Sequence, residues 1–259
     1  MLLRILLIGI GLLCYTNIIK AQSLRCNIKY AIKRTDTIRT KGFRATDLIA
    51  PSLLITSGAL MQGNAKLKSF NVDLRDAIQA NGHPKLRFDD YIQYAPLASV
   101  YLMKVCGVNN KHNYRDLLTL TATSYILGGL TVVATKNICH IQRPDNTSFN
   151  SFPSGHTFTA FFGAELIRRE FGEEYPAIAV AGYTVAATTG FMRIYNNRHW
   201  LADVLAGAGI GILSVSAAYW MYPWLCRVLW KDEPSNNLRA NRKTTAELTL
   251  TPGGVALTF

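Results

Sequence analysis

The sequence predicts an all-α fold, a bundle of about six helices, several of them transmembrane, with a functional site at the helix ends. Of the 259 residues, 49% are hydrophobic and only 17% are charged. The mean hydropathy of +0.11 is high for a soluble basic protein and low for a chain buried in lipid throughout. Apolar stretches recur along the chain, and the later ones are dense in glycine and alanine, which let helices pack closely.

Six apolar stretches are the helix candidates. Short polar breaks such as Gly107–Asn113 and Gly172–Glu174 separate them, and no internal repeat is visible. We therefore expect one helical domain over residues 47–230. The six stretches are Asp47–Met61, Tyr91–Val108, Leu117–Thr135, Thr157–Ile167, Ala177–Met192 and Leu201–Leu225.

The N-terminus has the pattern of a secretory signal peptide. A basic start at Arg4 precedes an apolar run over Ile5–Leu13, and Ala21 offers a small residue for cleavage. Tyr15 interrupts the apolar stretch short of the ~20 residues that a membrane span needs. We therefore predict a signal peptide over residues 1–21, with an uncleaved anchor helix as the alternative.

Polar segments flank the helical domain. Residues 22–46 carry seven basic side chains, a composition that would attract an anionic lipid surface. The tail over residues 231–259 is polar and then alternates around Pro252-Gly253-Gly254. This alternation predicts a small hairpin or a disordered end.

The charge balance points to anionic partners. With 28 basic and 16 acidic residues the net charge is 28 − 16 = +12. Nucleic acid is not expected, because the basic residues are scattered and no nucleic-acid-binding motif appears. The five cysteines lie far apart and no carboxylate cluster is present, so we expect no metal and no cofactor.

Three polar clusters stand at the ends of predicted helices. Singly, each has an ordinary structural explanation: a lysine at a helix end, an N-capping serine, or a histidine–aspartate pair on one helix face. Together they gather two imidazoles, three cations and one carboxylate within 68 residues, beside apolar helices where charge is costly without a function. The clusters are Lys136 with Arg143, Ser154 with Gly155 and His156, and Arg193 with His199 and Asp203.

This set of residues suits a tetrahedral phosphate dianion. Lys136, Arg143 and Arg193 can surround its non-bridging oxygens, and the two arginines offer forked donors. Ser154 and Gly155 would add a hydroxyl and a backbone N–H at a helix start, where the helix dipole favours anions. We therefore predict a phosphate site at these helix ends.

The spacing also supplies a mechanism. Residues four apart lie on one helix face, so Asp203 can hold one ring nitrogen of His199 and leave the other to attack phosphorus. His156 is then the general acid for the leaving alkoxide, and afterwards the base that activates water. The clustered cations would stabilise the charge on the equatorial oxygens.

These motifs resemble those of the type 2 phosphatidic acid phosphatase (PAP2) superfamily, which also contains bacterial acid phosphatases and vanadium haloperoxidases. The family pattern KX6RP, PSGH and SRX5HX3D matches from Lys136 to Asp203, except that Met192 takes the place of the serine. The resemblance implies an acid at His156, a nucleophile at His199 and its partner at Asp203. It implies phosphate binding by Lys136, Arg143, Ser154, Gly155 and Arg193.

The resemblance also implies an enzyme, a phosphoric monoester hydrolase acting on a lipid of the bacterial envelope. Lipid A phosphate is the first expectation, and phosphatidylglycerophosphate and undecaprenyl diphosphate are alternatives. A broad-specificity periplasmic acid phosphatase is the nearest competing function. A vanadium haloperoxidase would share the site, and a non-enzymatic anion transporter would use its cations without needing the spacing of His199 and Asp203.

We expect an inner-membrane protein whose site faces the periplasm. Four aromatic residues over Tyr219–Trp224 are typical of a helix end at a membrane interface, or of packing at the base of the bundle. If the signal peptide is cleaved, the mature chain starts in the periplasm. Three membrane spans before Lys136 would then put the site in the cytoplasm, and two would put it in the periplasm. We therefore expect Asp47–Met61, which contains Pro51, to lie along the membrane surface.

Overall fold

The computed structural model describes residues 46–230, 247–251 and 254–258, with side chains described over residues 46–229. These residues form eight α-helices and one two-stranded hairpin, so the predicted all-α class is confirmed. The predicted signal peptide and nearly all of the basic segment lie outside the described residues. The helices are α1 (Thr46–Gly63), α2 (Ala65–Gln79), α3 (Asp89–Ile92), α4 (Ala95–Val105), α5 (Tyr114–Cys139), α6 (Gly155–Phe171), α7 (Pro176–Tyr195) and α8 (Leu201–Trp230).

The C-terminal residues form an antiparallel hairpin. Its strands are β1 (Glu247–Thr251) and β2 (Gly254–Thr258), with Glu247 opposite Thr258 and Thr251 opposite Gly254. Within the described residues, the compact unit that contains the helical bundle extends to Tyr219. The rest of α8 and the hairpin belong to a second unit.

Side-chain caps set where several helices begin. The Asn64 side chain accepts from the first-turn amides of α2, and Asn113 does the same for α5. Ser154 caps α6 through the backbone N–H of Thr157. His140 follows α5 in the left-handed conformation, with φ of 47°, a common way to end a helix.

Two polar contacts fix the direction of α1. Asp47 at its start pairs with Arg169 in the last turn of α6, at 3.2 Å. Gln62 near its end donates to Oδ1 of Asp203 in the first turn of α8, at 3.1 Å. The helix therefore runs the length of the bundle, antiparallel to α6 and α8. This corrects the expectation of a surface helix over Asp47–Met61.

Close backbone contacts hold α8 against its neighbours. A Cβ atom on Gly58 of α1 would lie 2.5 Å from the carbonyl oxygen of Ala202, and one on Gly207 would lie 2.5 Å from that of Ser154. Only glycine permits these approaches without a shift of the backbone. The small residues thus bring α1 and the start of α6 directly onto α8.

Among the residues that the structure describes, three helices are long and apolar enough to cross a membrane: α5, α7 and residues Leu201–Leu229 of α8. The helix α6 has 17 residues and is largely buried within the bundle. The neighbouring helices cover most of α6. The helix therefore lies lengthwise in the core, although its apolar stretch is shorter than those of the three long helices. The fully buried side chains at the centre include Phe162, Leu166, Leu117, Leu120 and Val100.

The far end of α6 carries a buried ionic network. Glu165 is fully buried and accepts from Arg168 and Arg169. Glu170 accepts from the hydroxyl of Tyr219 and pairs with Nδ1 of His112 at 2.7 Å. Tyr219 therefore contributes to packing at the base of the bundle, whereas Trp220 and Trp224 are more than half exposed.

Candidate active site

The loop between α7 and α8 holds the histidine–aspartate pair. The backbone amides of Arg198 and His199 both donate to the carbonyl oxygen of Arg193, at 2.9 and 3.2 Å, and this folds the loop back onto the end of α7. Nδ1 of His199 lies 3.3 Å from Oδ2 of Asp203. Both side chains are buried. The contact leaves Nε2 of His199 as the ring nitrogen for a substrate.

Four donors surround the Asp203 carboxylate. Oδ2 accepts from the Ser151 hydroxyl at 2.5 Å and the Trp200 amide at 2.9 Å, besides facing His199. Oδ1 accepts from Gln62 of α1. A buried carboxylate is costly unless its oxygens are hydrogen-bonded, and these partners meet that need. They also fix the carboxylate, and through it the orientation of the imidazole.

His199 is held in its neutral form. Burial lowers the pKa of His199 to about 4; the nearby Asp203 carboxylate raises it, and the charges of Lys136 and Arg193 lower it further. A pKa of this size leaves the imidazole neutral at pH 7. A neutral imidazole keeps the lone pair that nucleophilic attack requires.

Asn150 ties the two cations of the first cluster together. Nζ of Lys136, in the last turn of α5, donates to the Asn150 carbonyl oxygen at 2.5 Å. Nε of Arg143, in the following loop, donates to the Asn150 side-chain oxygen at 2.9 Å. Burial lowers the pKa of Arg143, and the positive charge of the nearby Arg193 lowers it further.

The second cluster is joined to the third through the backbone. The Ser154 amide donates to the carbonyl oxygen of Asp203 at 2.9 Å. The buried Ser154 hydroxyl accepts from the Thr157 hydroxyl at 2.9 Å and from the Thr157 backbone N–H at 3.4 Å, and the second bond caps α6. Gly155 is the first residue of α6, where backbone N–H groups lack helical acceptors.

Arg193 is a buried cation at the end of α7, only 5% exposed. Its NH1 group donates to Asp89 at 2.6 Å and lies 3.4 Å from Asp90. Within the described part of the chain, its buried Nε has no hydrogen-bond partner. Buried donors without an acceptor are uncommon. An anion bound beside Arg193 would satisfy this one.

Sequence reasoning missed the acidic residues of this site. Asp89 is buried and also accepts from the Asn196 side chain at 3.1 Å. Asp90 lies 3.0 Å from Nε2 of His156. Both residues stand on the short helix α3, at the edge of the predicted stretch Tyr91–Val108. The available signal was two adjacent carboxylates beside an apolar helix, where charge is expensive.

The eight predicted residues meet at one end of the bundle, where α5 and α7 end and α6 and α8 begin. The charges of Lys136, Arg143 and Arg193 act on one another and on Asp203. Met192, at the serine position of the family pattern, is buried. Over the residues that the structure describes, no group of three or more His, Cys, Asp or Glu could hold a metal ion.

A sequence model of the PAP2 superfamily matches residues 117–227, the segment that contains all eight of these residues. Residues 117–227 of this chain belong to the PAP2 superfamily. The lipid A 1-phosphatase of Porphyromonas gingivalis is 38% identical over 190 residues, which are 71% of this chain and 41% of that protein. The chain thus spans less than half the length of this curated PAP2 relative. The relative and the three long apolar helices indicate a bacterial membrane protein.

Two solved structures resemble this PAP2 chain. LpxE of Aquifex aeolicus is 24% identical, with 57% of this chain and 94% of that chain covered, at a TM-score of 0.46. The transmembrane PAP2 type phosphatidylglycerolphosphate phosphatase of Bacillus subtilis is 18% identical, with 70% and 97% covered, at a TM-score of 0.40.

Proposed function

We propose that this chain is a metal-independent phosphatase that removes a phosphate monoester from an envelope lipid, lipid A phosphate first, through a phosphohistidine intermediate. The observation that carries the proposal is the contact between Nδ1 of His199 and Oδ2 of Asp203 beside three cations. The similarity to a lipid A 1-phosphatase supports the choice of substrate.

Binding of the phosphate is the first step. Lys136, Arg143 and Arg193 neutralise its charge, and the unpartnered Nε of Arg193 donates to one oxygen. The start of α6 at Gly155 adds backbone donors on the side of the second cluster. Because Asn150 and Asp89 already hold the three cations, little rearrangement is needed when the anion arrives.

Transfer to His199 is the second step. Nε2 attacks phosphorus as the bond from phosphorus to the lipid oxygen breaks, and protonated His156 donates its proton to that oxygen. The proton on Nδ1 of His199 stays between the imidazole and Asp203, which stabilises the positive charge on the ring. The products of this step are the dephosphorylated lipid and phosphohistidine.

Hydrolysis restores the enzyme. Neutral His156 takes a proton from a water molecule, whose oxygen attacks phosphorus and breaks the bond to Nε2 of His199. Inorganic phosphate then leaves. Oδ1 of Asp90 lies 3.0 Å from Nε2 of His156. A neighbouring carboxylate therefore orients the acid–base residue, as Asp203 orients the nucleophile.

An apolar cavity favours a lipid over a soluble substrate. It has a volume of about 290 Å³ and lies between α1, α6, α7 and α8. Ile194 and Val204 line it, and each is the residue after a charged member of the site. An acyl chain could occupy such a space beside the bound phosphate. The remaining lining residues are Leu54, Phe161, Ala187, Phe191, Leu201, Leu205 and Ala208.

We also propose that the site faces the periplasm from the inner membrane. Thr46 begins α1 at the end of the bundle away from Asp203. If α1 crosses the membrane, a periplasmic site needs Thr46 at the cytoplasmic face. Cleavage after Ala21 would instead start the mature chain in the periplasm. A cleaved signal peptide and a periplasmic site are then alternatives, of which we favour the periplasmic site.

Phosphate release from a panel of lipid phosphates tests this function. The purified full-length chain would be compared with His199→Ala on lipid A 1-phosphate, phosphatidylglycerophosphate, undecaprenyl diphosphate and p-nitrophenyl phosphate. We expect the highest kcat/KM on a lipid A phosphate, and a loss of at least about 10³-fold for the variant. His140→Asn, at an exposed residue of a neighbouring loop, is the matched control and should retain activity.

Other outcomes would identify other functions. Free turnover of p-nitrophenyl phosphate with no preference for lipids indicates a broad acid phosphatase. Bromination with vanadate and peroxide, without phosphate release, indicates a haloperoxidase. Full activity of His199→Ala would contradict the mechanism.

A further inference from the structure

Two exposed triplets beside the site share one pattern, a leucine between two basic residues. The first is Lys66-Leu67-Lys68 in the first turn of α2, and the second is Lys85-Leu86-Arg87 between α2 and α3. All six side chains are exposed, and Leu67 and Leu86 each keep 40% of their surface accessible. We call these six residues the basic edge.

The backbone of each triplet is fixed while its side chains stay outside. The amide of Leu67 donates to the Asn64 side chain at 3.3 Å. Leu86 exchanges two hydrogen bonds with the Asn196 side chain, at 2.9 and 2.7 Å. The exposure of these leucines therefore does not come from a loose segment. Hydrogen bonds with the side chains of Asn64 and Asn196 fix the backbone that holds both leucines at the surface.

The basic edge lies at the level where the membrane-crossing helices end. Asn196 directly follows α7, and Ala202 of α8 donates its backbone N–H to Asn71 of α2 at 3.3 Å. Because α7 and α8 are long and apolar enough to cross a membrane, the segment between them lies at a membrane surface. The two triplets, which hydrogen bonds connect to that segment through Asn196 and Asn71, therefore lie at the membrane surface as well.

The composition of the basic edge matches an anionic lipid surface. A leucine can enter the headgroup region while the flanking lysine or arginine ends reach the phosphates. Between described residues, no ion pair engages Lys66, Lys68, Lys85 or Arg87, so their charges are available to a partner. Basic residues near a membrane surface attract anionic lipids, and the attraction weakens as salt is raised.

We propose that the basic edge binds the headgroups of anionic lipids in the leaflet that the active site faces, and thereby enriches anionic lipids at its entrance. This goes beyond the proposed function, because binding here needs no turnover. It would serve that function by raising the local concentration of a negatively charged lipid phosphate.

Lipid selectivity measured by electron paramagnetic resonance tests the proposal. The full-length chain is reconstituted in phosphatidylcholine bilayers that contain either spin-labelled phosphatidylglycerol or spin-labelled phosphatidylcholine. The motionally restricted fraction reports the lipid at the protein surface. We expect phosphatidylglycerol to be enriched about twofold or more over phosphatidylcholine at low salt, and the enrichment to fall in 1 M NaCl.

Charge reversal assigns the effect to the basic edge. The variant K66E/K68E/K85E/R87E should lose most of the enrichment, whereas the charge-conserving variant K66R/K68R/K85R/R87K should retain it. Helical content by circular dichroism and a single elution peak in detergent check folding, and the two double variants K66E/K68E and K85E/R87E replace the quadruple variant if it fails to fold.

Two results would overturn the proposal. One is equal restriction of both labelled lipids by the wild-type chain at low salt, which would leave these triplets as a contact for a protein or as solvated surface. The other is enrichment that survives charge reversal. Neither result depends on whether the chain hydrolyses lipid A, so the proposed function is judged separately.

Discussion

Asp90 lies 3.0 Å from Nε2 of His156 and 3.4 Å from NH1 of Arg193, and so joins the general acid to one of the phosphate-binding cations. The Asp90 carboxylate and the other surroundings of His156 shift the pKa of this histidine in opposite directions. Burial and then the charge of Arg193 lower the pKa of His156, while Asp90 and, more weakly, Asp89 raise it. The net direction is downward.

Replacement of Asp90 by asparagine should move the alkaline limb of the pH profile. The acid must be protonated to donate, so activity falls as pH rises through the pKa of His156. Without the Asp90 charge that pKa falls further, and the limb of kcat/KM should shift to lower pH. The measurement is kcat/KM against pH for the wild type, Asp90→Asn and Asp73→Asn, an exposed acid of α2. An unchanged limb in Asp90→Asn would show that Asp90 does not act through His156.

Asp89 should matter more for stability than any exposed acid. Removal of one partner from a buried ion pair leaves an uncompensated charge, here Arg193, at a cost of about 3–5 kcal/mol. We expect Asp89→Ala to lower the free energy of unfolding by about that amount. Asp76→Ala removes a carboxylate that is 58% exposed from its pair with the partly buried Arg75, and should cost less than about 1 kcal/mol. Denaturant titration of both variants in the same detergent makes the comparison, and equal costs would contradict it.

Part of this site was open to sequence reasoning and part was not. Lys136, Arg143, His156, His199 and Asp203 are separated by fixed short spacings around predicted helix ends, so their convergence could be predicted from a local pattern. Asp89, Asp90 and Gln62 come from distant segments with no such spacing, and only the packing of α1 and α3 brings them to the site.

The fold, like the site, could be predicted from the sequence only in part. The apolar stretches and small residues predicted a helical bundle, because hydrophobic length and composition are local properties. The direction of α1 depends on Asp47 meeting Arg169, more than a hundred residues later, and no local pattern encodes that contact. For the same reason the surface location expected for this helix was wrong.

Gly207 should resist substitution because its α-carbon faces the backbone of Ser154. A Cβ atom there would lie 2.5 Å from the Ser154 carbonyl oxygen, so Gly207→Ala must push the start of α6 away from α8. We expect a loss of about 1–3 kcal/mol in stability together with reduced kcat. Gly129→Ala in α5 is the control, because a Cβ atom there would meet nothing within 4 Å, and alanine favours a helix. Equal effects of the two substitutions on melting temperature and kcat would contradict this role.

Cysteine accessibility should place Lys66 and Asn150 on one side of the membrane and Lys111 on the other. Lys111 pairs with Glu173 just beyond the end of α6, at the end of the bundle away from the site. Single cysteines at these positions, with the native cysteines replaced, would be treated in intact cells with a membrane-impermeant maleimide. For a periplasmic site, positions 66 and 150 react and position 111 does not. Opposite labelling of positions 66 and 150 would refute the arrangement of α1 and α2 described above.

The central claim is that Nε2 of His199 takes the phosphoryl group. Rapid-quench experiments with a lipid phosphate labelled with ³²P at the scissile group test it most directly. We predict a protein-bound label that is acid-labile and stable in base, as a phosphohistidine is, located on the peptide that contains His199 and absent from His199→Ala. Phosphate release with no labelled protein at any quench time, or a label on another residue, would contradict the account.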